Sequence, residues 1–145
     1  MGLFDKLQQS KSEKINKEKE EGAAFLEQNK GVEGVQTLPS GIQYKILEEG
    51  AGPKPALQDK IKAHYAGSLL NGKEFDSSFR RNQPFDARIT QLIKGWQEVL
   101  PLMPVGSKWR LWIPSDLGYG DNGAPPNIPG GAVLQFDIQL IDILK

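Results

Sequence analysis

The sequence predicts an α+β fold in which a twisted antiparallel β-sheet wraps around one short helix and follows an N-terminal helical extension. Apolar and polar residues alternate in several short segments of the C-terminal two thirds, as they do in half-buried strands. One stretch within that region has helical character and ends at prolines. The first thirty or so residues are rich in Lys, Glu and Gln and contain no proline. We therefore expect an extension over residues 1–34 and a folded domain over residues 35–145.

The extension is predicted to be a solvated helix. Residues 8–30 contain no proline and a single glycine, Gly22. Glu13 and Lys17 have the i,i+4 order that stabilises a helix by about 0.2–0.5 kcal/mol. Apolar residues are too sparse for a continuous coiled-coil seam, so we expect the helix to dock on the domain through Phe25 and Leu26. The alternative is an arm that dimerises or grips a client protein.

Segments with an apolar period of two predict the strands of the sheet. These segments lie at 42–46, 61–65, 109–113 and 134–140. Residues 31–41 are predicted to be a break because glycine and proline punctuate them. Asn71-Gly72 predicts a type I′ hairpin turn, since both central residues of that turn need positive φ. Residues 74–76 then return as the partner strand.

The remaining segments predict one helix and two irregular stretches. Residues 77–91 are polar and are predicted to be irregular. Residues 92–100 fit about two helical turns that Pro101 and Pro104 stop. Residues 114–131 contain four prolines and five glycines. Loops longer than about twelve residues are usually functional or disordered, so this loop is a candidate functional segment.

Composition excludes several classes of function. Eighteen basic residues balance eighteen acidic ones, so we expect neither a nucleic-acid partner nor a membrane partner. Cysteine is absent and His64 is the only histidine, which argues against thiol catalysis, a histidine-based triad and a zinc site. We expect neither a metal nor a cofactor. The N-terminus has no apolar run of the length that a signal peptide or a membrane span needs. We expect a cytoplasmic protein.

Two glycine-rich motifs fit nucleotide-binding patterns but lack the required context. Residues 67–73 fit G-x-x-x-x-G-K, but Glu74 stands where a P-loop needs Ser or Thr for magnesium. Residues 118–123 fit G-x-G-x-x-G, but Pro125 and Pro126 follow where a dinucleotide site needs the N-terminus of a helix. Nucleotide binding is therefore not predicted.

Several short motifs follow each other in the folded domain. They are His64-Tyr65-Ala66-Gly67, Gly72-Lys73-Glu74-Phe75-Asp76-Ser77-Ser78, Ile93-Lys94-Gly95-Trp96 and Tyr119-Gly120. Together they resemble the FKBP-type peptidyl-prolyl isomerases. The resemblance extends from about residue 41 to residue 145. Residues 22–44 are also similar to the junction of the macrophage-infectivity-potentiator branch, whose members carry a long helical dimerisation arm. Here that arm looks shortened, so the resemblance implies a monomer or a weak dimer through the N-terminal arm.

The resemblance implies a pocket for a proline ring, with Trp96 as its floor. It assigns catalytic roles to Tyr65, Asp76, Trp96 and Tyr119, and substrate binding to Phe75, Arg81, Phe85, Leu92, Ile93, Ile128 and Phe136. Asp76 is expected to be held by Arg81 and Tyr65, and the Tyr119 hydroxyl to donate to a substrate carbonyl. One position departs from the family pattern, because Ala124 stands where many members have a histidine before the first proline of the long loop.

The implied activity is cis–trans isomerisation of X-Pro bonds in folding or flexible polypeptides. Rotation about an amide breaks no bond, so the absence of a nucleophile, a metal and a proton shuttle fits this chemistry. The implied partners are proline-containing polypeptides, with macrolides of the tacrolimus and rapamycin type as inhibitors. The alternative function is a proline-recognising chaperone or binding module on the same fold with little turnover, which Ala124 and the charged extension motivate.

Overall fold

A computed structural model describes residues 2–144 and, for residues 3–9, the backbone alone. Two α-helices and the strands of one sheet follow each other along this part of the chain. They are α1 (Leu3–Asn29), β1 (Val35–Thr37), β2 (Gln43–Glu48), β3 (Lys60–Leu69), β4 (Glu74–Ser77), β5 (Phe85–Arg88), α2 (Lys94–Val99), β6 (Lys108–Ile113) and β7 (Leu134–Leu144). No helix of the described chain combines the length and the apolar character that crossing a membrane requires.

The strands form one antiparallel sheet in the order β1-β2-β6-β7-β3-β4. Strand β3 is long enough to pair with two short strands on one edge: Lys60–Ala63 pair with β5, and Ala66–Ser68 pair with β4. Its other edge pairs with β7. The predicted α+β fold, with a sheet, a short central helix and an N-terminal helix, is confirmed.

The concave face of the sheet holds the core and α2. Leu134, Phe136, Ile138 and Leu140 alternate inward along β7 and are buried, as the period-two pattern predicts. Short 3₁₀ segments at 89–91 and 100–102 flank the central helix. The predicted helix over residues 92–100 is therefore shorter, because Leu92 and Ile93 have extended backbone.

Helix α1 covers part of the face of the sheet that the alternation predicted to face water. Phe25 packs on Trp112 with ring centroids 6.4 Å apart. The Asn29 amide donates to Gln43 Oε1 at 2.8 Å, and Gln43 Nε2 donates to the Leu26 carbonyl at 2.8 Å. Gln43 and Trp112 are consequently buried. Alternation of apolar and polar residues indicates a solvent-exposed face only where no other element packs against that face of the sheet.

Three further local predictions need correction. Strand β1 lies within the predicted break, where only three residues pair with β2. Strand β5 lies within the predicted irregular stretch, where Phe85 and Ala87 alternate over too few residues to give a strand pattern.

The hairpin is at the predicted place, but its turn type differs. Among the described non-glycine residues only Asn82 has positive φ, so Asn71 lacks the positive φ that a type I′ turn requires. The Gly72 N–H bonds to the Leu69 carbonyl, which fits a three-residue loop with Gly72 left-handed rather than a type I′ turn.

Candidate active site

Helix α2 holds the indole of Trp96 at the base of a cavity. Gly95 lets the helix lie close to β6, since a Cβ at Gly95 would be 2.7 Å from two carbons of Ile113. Trp96 is 5% exposed, and its Nε1 is buried with no hydrogen-bond partner among the described residues. The contacts of the ring therefore hold it in place, since its own N–H makes no hydrogen bond with the described residues.

Three aromatic rings surround Trp96 in tilted or edge-on contacts. The ring centroids of Tyr65, Phe85 and Phe136 lie 5.3, 5.6 and 5.1 Å from the centroid of the indole. Phe75 meets Phe136 edge-on at 5.6 Å. Such arrangements place the positive edge of one ring against the negative face of another. The rings come from β3, β4, β5 and β7, so the sheet itself sets their spacing.

The cavity between these rings has a volume of about 230 Å³. Its lining brings together residues that are distant in sequence and were predicted as site residues. They are Tyr65, Phe75, Asp76, Phe85, Leu92, Ile93, Trp96, Tyr119 and Phe136. Two predicted site residues lie outside this lining. Arg81 reaches the cavity only through Asp76 and Tyr65, and Ile128 is 5% exposed within the core.

Tyr65, Asp76 and Arg81 form one hydrogen-bonded network at the edge of the cavity. The Tyr65 hydroxyl donates to Asp76 Oδ2, and Arg81 Nη1 donates to Asp76 Oδ1. Arg81 Nη2 also donates to the Tyr65 hydroxyl at 3.3 Å. The Asp76 carboxylate thus accepts hydrogen bonds from two donors. One of them, the Tyr65 hydroxyl, itself accepts a hydrogen bond from Arg81.

The network shifts the pKa values of Asp76 and Tyr65 in opposite directions. Burial alone would raise the pKa of Asp76, but the hydrogen bonds from Tyr65 and Arg81 outweigh it and hold the pKa below the ordinary 3.8. Burial, followed by the hydrogen bond to Asp76, raises the pKa of Tyr65 above the ordinary 10.0. Asp76 is therefore ionised and Tyr65 neutral at neutral pH.

The long loop brings one exposed hydroxyl to the rim of the cavity. Tyr119 is 40% exposed, and Gly120 follows it with φ of 62°. Further along, Ala124 and Ile128 exchange two backbone hydrogen bonds of 2.9 and 3.0 Å. These bonds close the loop at Ala124, the position where the sequence departs from the family pattern. They also hold Ile128 among the core residues.

A second candidate donor is the backbone N–H of Ile93, which also lines the cavity. Ile93 precedes α2 in extended conformation, and within residues 2–144 no protein group accepts its N–H. The chain therefore offers two hydrogen-bond donors next to the apolar rings, the Ile93 N–H and the Tyr119 hydroxyl. This combination suits an apolar ring whose neighbouring carbonyl groups need partners.

Two residues that position the site stand within the quoted motifs but were not predicted as site residues. A Cβ at Gly67 would lie 2.7 Å from both Phe75 and Phe136, so only glycine lets those rings approach. Ser78 is fully buried, and its Oγ accepts the Tyr65 N–H at 2.7 Å. His64, predicted to have no function, also bonds Ser78 Oγ through Nδ1 at 2.8 Å. A glycine in mid-strand was the one available signal, since it often marks a close approach.

The described residues contain no group of three or more His, Cys, Asp or Glu side chains that could hold a metal ion. A larger groove of about 660 Å³ lies between α1 and the long loop. It is lined by Lys, Glu, Asn and Pro residues and lacks the enclosing aromatic rings. The aromatic cavity is the better candidate for an active site, because its apolar walls converge with two donors.

Comparison with known proteins identifies two matching family models. The model of the FKBP-type peptidyl-prolyl cis-trans isomerase matches residues 52–141. The model of the domain amino-terminal to FKBP-type peptidyl-prolyl isomerase matches residues 1–46. The first match includes every predicted site residue, and the second includes α1 and most of β2.

Individual relatives agree with both models. The FKBP-type 22 kDa peptidyl-prolyl cis-trans isomerase of Escherichia coli is 44% identical over 124 residues, which cover 86% of this chain and 60% of that protein. The peptidyl-prolyl cis-trans isomerase Mip of Coxiella burnetii is 44% identical over 87% of this chain and 55% of its own length. The crystal structure of FkpA from Escherichia coli superposes with a TM-score of 0.89 at 34% identity, covering 94% of this chain and 63% of that one. The chain thus spans less than two thirds of the length of these relatives.

Proposed function

The chain belongs to the FKBP-type peptidyl-prolyl cis-trans isomerases, and on this premise we propose that it accelerates rotation about X-Pro bonds in folding or flexible polypeptides. The observation that carries the proposal is the aromatic cavity around Trp96 with the Tyr119 hydroxyl at its rim. A volume of about 230 Å³ accommodates the five-membered ring of one proline and the amide that precedes it.

Catalysis of this rotation requires an environment that favours the twisted amide over the planar one. Resonance makes the barrier roughly 18–20 kcal/mol, and unassisted exchange of X-Pro takes tens to hundreds of seconds. The twisted amide has lost resonance, and with it part of its polarity. A site that replaces water by aromatic carbon therefore stabilises the transition state more than the ground state, which is the condition for catalysis.

Each part of the cavity has a role in this proposal. The proline ring sits on Trp96 between Phe75, Phe85 and Phe136, while Leu92 and Ile93 close the side next to α2. The Tyr119 hydroxyl and the Ile93 N–H donate to the carbonyl groups on either side of the bond. Asp76, held by Tyr65 and Arg81, keeps the wall of the cavity in place. Each tenfold of rate needs about 1.4 kcal/mol, so a few such contacts suffice.

The proposed activity is tested by measuring cis–trans exchange of a short X-Pro peptide by NMR with catalytic amounts of protein. We expect faster exchange, and we expect a macrolide of the tacrolimus or rapamycin type to abolish it by occupying the cavity. Exchange at the uncatalysed rate with the folded protein present would overturn the proposal. The cytoplasmic location stays a prediction, as does a monomer or a weak dimer through the N-terminal arm.

The second candidate is a proline-recognising chaperone or binding module with little turnover. Its support is the groove beside the long loop, which offers a second surface to a polypeptide. Peptide binding without faster exchange, together with suppression of client aggregation that survives Trp96→Leu, would favour this candidate. Loss of both activities in that variant would favour the isomerase.

A further inference from the structure

A groove separates the exposed part of α1 from the domain, and we call it the helix groove. One wall is α1 from Lys11 to Phe25. The other wall is the β3–β4 hairpin at 69–73 and the loop and following residues at 121–133. Two adjoining cavities of about 660 and 350 Å³ make up the groove. Ile15 lines the groove and lies close to Gly130, since a Cβ at Gly130 would be 3.2 Å from Ile15 Cγ1.

The walls of the helix groove combine exposed proline rings with charged side chains. Pro125, Pro126 and Pro129 line the domain side and present ring carbons without backbone N–H groups. Lys11, Lys14, Lys17 and Lys73 line the groove, as do Glu18 and Glu21. Within the described side chains, none of these lysines has a carboxylate within salt-bridge distance. The acidic Asp121 is different, because Lys19 neutralises it at 2.7 Å.

The groove-lining charges of α1 change sign once along the helix, from Lys11, Lys14 and Lys17 to Glu18 and Glu21. The three lysines span six residues, or about 9 Å along the axis, and Lys17 is next to Glu18. Glu18 and Glu21 also line the smaller cavity next to Phe25. The part of the helix groove beside the lysines therefore suits an acidic ligand, and the part beside Glu18 and Glu21 does not.

The helix groove and the aromatic cavity share no lining residue, but two short segments of the chain lead from one to the other. Lys73 lines the groove and Phe75 lines the cavity, and Asp121 and Tyr119 are related in the same way. Residues two apart are separated by at most about 7 Å. A polypeptide seated in the cavity thus meets the groove within a few residues of its proline.

We propose that the helix groove binds the extended flank of the same polypeptide whose X-Pro bond occupies the cavity, and that Lys73 and Lys14 select flanks with acidic side chains. This inference rests on the proposed isomerase function and adds a substrate preference to it. The prolines and Ile15 contact the apolar side chains of the flank. The lysines reach the alternate side chains, which an extended strand points the other way.

The test compares peptides that share one X-Pro centre and differ only in the flank. One peptide has no flank, and three have about eight residues, a length of roughly 25 Å, in which Leu alternates with Glu, Gln or Lys. Each flank is placed before the proline in one set and after it in another. The measured quantity is kcat/KM from NMR exchange. At low salt we expect the Glu flank to exceed the Gln flank by about two- to fivefold, the size that exposed ion pairs give, and high salt to remove the difference.

Lys73→Glu is the decisive variant, and Lys60→Glu is its matched control at the other end of β3. Both lysines are exposed, so both changes carry the same charge difference at little cost to stability. We expect Lys73→Glu to reverse the preference toward the Lys flank, and Lys60→Glu to leave it as it is. Equal kcat/KM for all flanks in the native chain, or equal effects of the two variants, would overturn the inference.

The flankless peptide separates failure of this inference from failure of the proposed function. If it is exchanged faster but flank charge has no effect, the helix groove is not a binding site for the substrate. If it is not exchanged faster, amide shifts of Asn71, Lys73 and Asn122 on adding the Glu-flanked peptide still support binding in the groove, and unchanged shifts reject it. Shifts of the same amides with protein concentration alone would mean that a second copy of the chain occupies the groove, which also overturns the proposal.

Discussion

Gly67 on β3 pairs with Phe136 on β7, and this pairing sets the width of the aromatic cavity. The missing side chain leaves space into which Phe75 and Phe136 both turn, with centroids 5.6 Å apart and ring planes at 88°. Phe136 in turn meets Trp96 edge-on at 5.1 Å. A chain of three rings therefore runs from a bare strand position to the base of the site.

Gly67→Ala is predicted to displace that chain of rings. The new Cβ would lie 2.7 Å from both phenyl rings, closer than packed carbon atoms come. Overpacking of this kind typically costs about 1–3 kcal/mol, so we expect a lower free energy of unfolding in urea and a higher KM for an X-Pro peptide. Phe75→Leu in the same chain should restore part of the stability, because it removes one of the two rings that clash. Unchanged stability and KM in the single variant would show that the strand shifts freely.

Tyr119→Phe is predicted to lower kcat/KM without destabilising the protein. The change removes one hydroxyl from a side chain that is 40% exposed. Loss of one neutral hydrogen bond costs about 0.5–1.5 kcal/mol, which corresponds to a two- to tenfold lower rate. The measurement is NMR exchange of an X-Pro peptide, with thermal unfolding in parallel.

Tyr44→Phe provides the matched control for that experiment. Tyr44 stacks on Trp109 at 4.5 Å, in a part of the sheet that does not line the aromatic cavity. We expect kcat/KM to stay at the native value in this variant. Equal losses in the two variants would mean that the Tyr119 hydroxyl does not contact the substrate.

The sequence predicted the parts of the fold that depend on strand periodicity. The inward residues of β7 and the short helix that carries Trp96 follow from local patterns, because each pattern reports burial on one side of one element. Gln43 shows the limit of such patterns. It alternates as a water-facing strand residue, yet Asn29 and the Leu26 carbonyl bury it beneath α1. That contact joins residues far apart in sequence, and no local period encodes it.

The motifs predicted the residues that line the aromatic cavity, but they did not predict the residues that hold those rings in place. Tyr65, Phe75 and Trp96 stand in segments whose residue types are specific together. Ser78 and Gly67 act through backbone contacts with those rings, and a serine or a glycine has many other reasons to be in a strand. Ile128 lines the helix groove and not the cavity, and its backbone pairs with that of Ala124.

Stability is predicted to depend on Asp76 at acidic pH and on Tyr65 at alkaline pH. The pKa of Asp76 is lower in the folded protein than the ordinary 3.8, so its stabilisation is present above that value and is lost as pH falls through the folded pKa. The pKa of Tyr65 is raised above 10.0, so its contribution is present below that value and is lost as pH rises through the folded pKa.

Asp76→Asn should therefore lower the free energy of unfolding by the same amount at every pH from about 5 to about 9, and by less below 3.8. Because this carboxylate is partly exposed, the amount is expected to stay below about 1 kcal/mol. Urea unfolding across pH measures it, and Asp86→Asn, at an exposed site on β5, is the control. A difference that is largest in acid would contradict the assigned direction of the pKa shift.

The docking of α1 is predicted to depend on Gln43. Gln43→Leu keeps the size of the side chain but leaves the Asn29 amide and the Leu26 carbonyl without their partner. Asn29 is 7% exposed, and a buried polar group left unpaired costs about 1–3 kcal/mol. We expect a lower free energy of unfolding in urea and faster amide hydrogen exchange in the C-terminal turns of α1. Gln36→Leu, at an exposed position of the neighbouring β1, should change stability by no more than about 0.5 kcal/mol. Equal effects of the two variants would mean that Phe25 and Trp112 hold the helix without help from the buried amide.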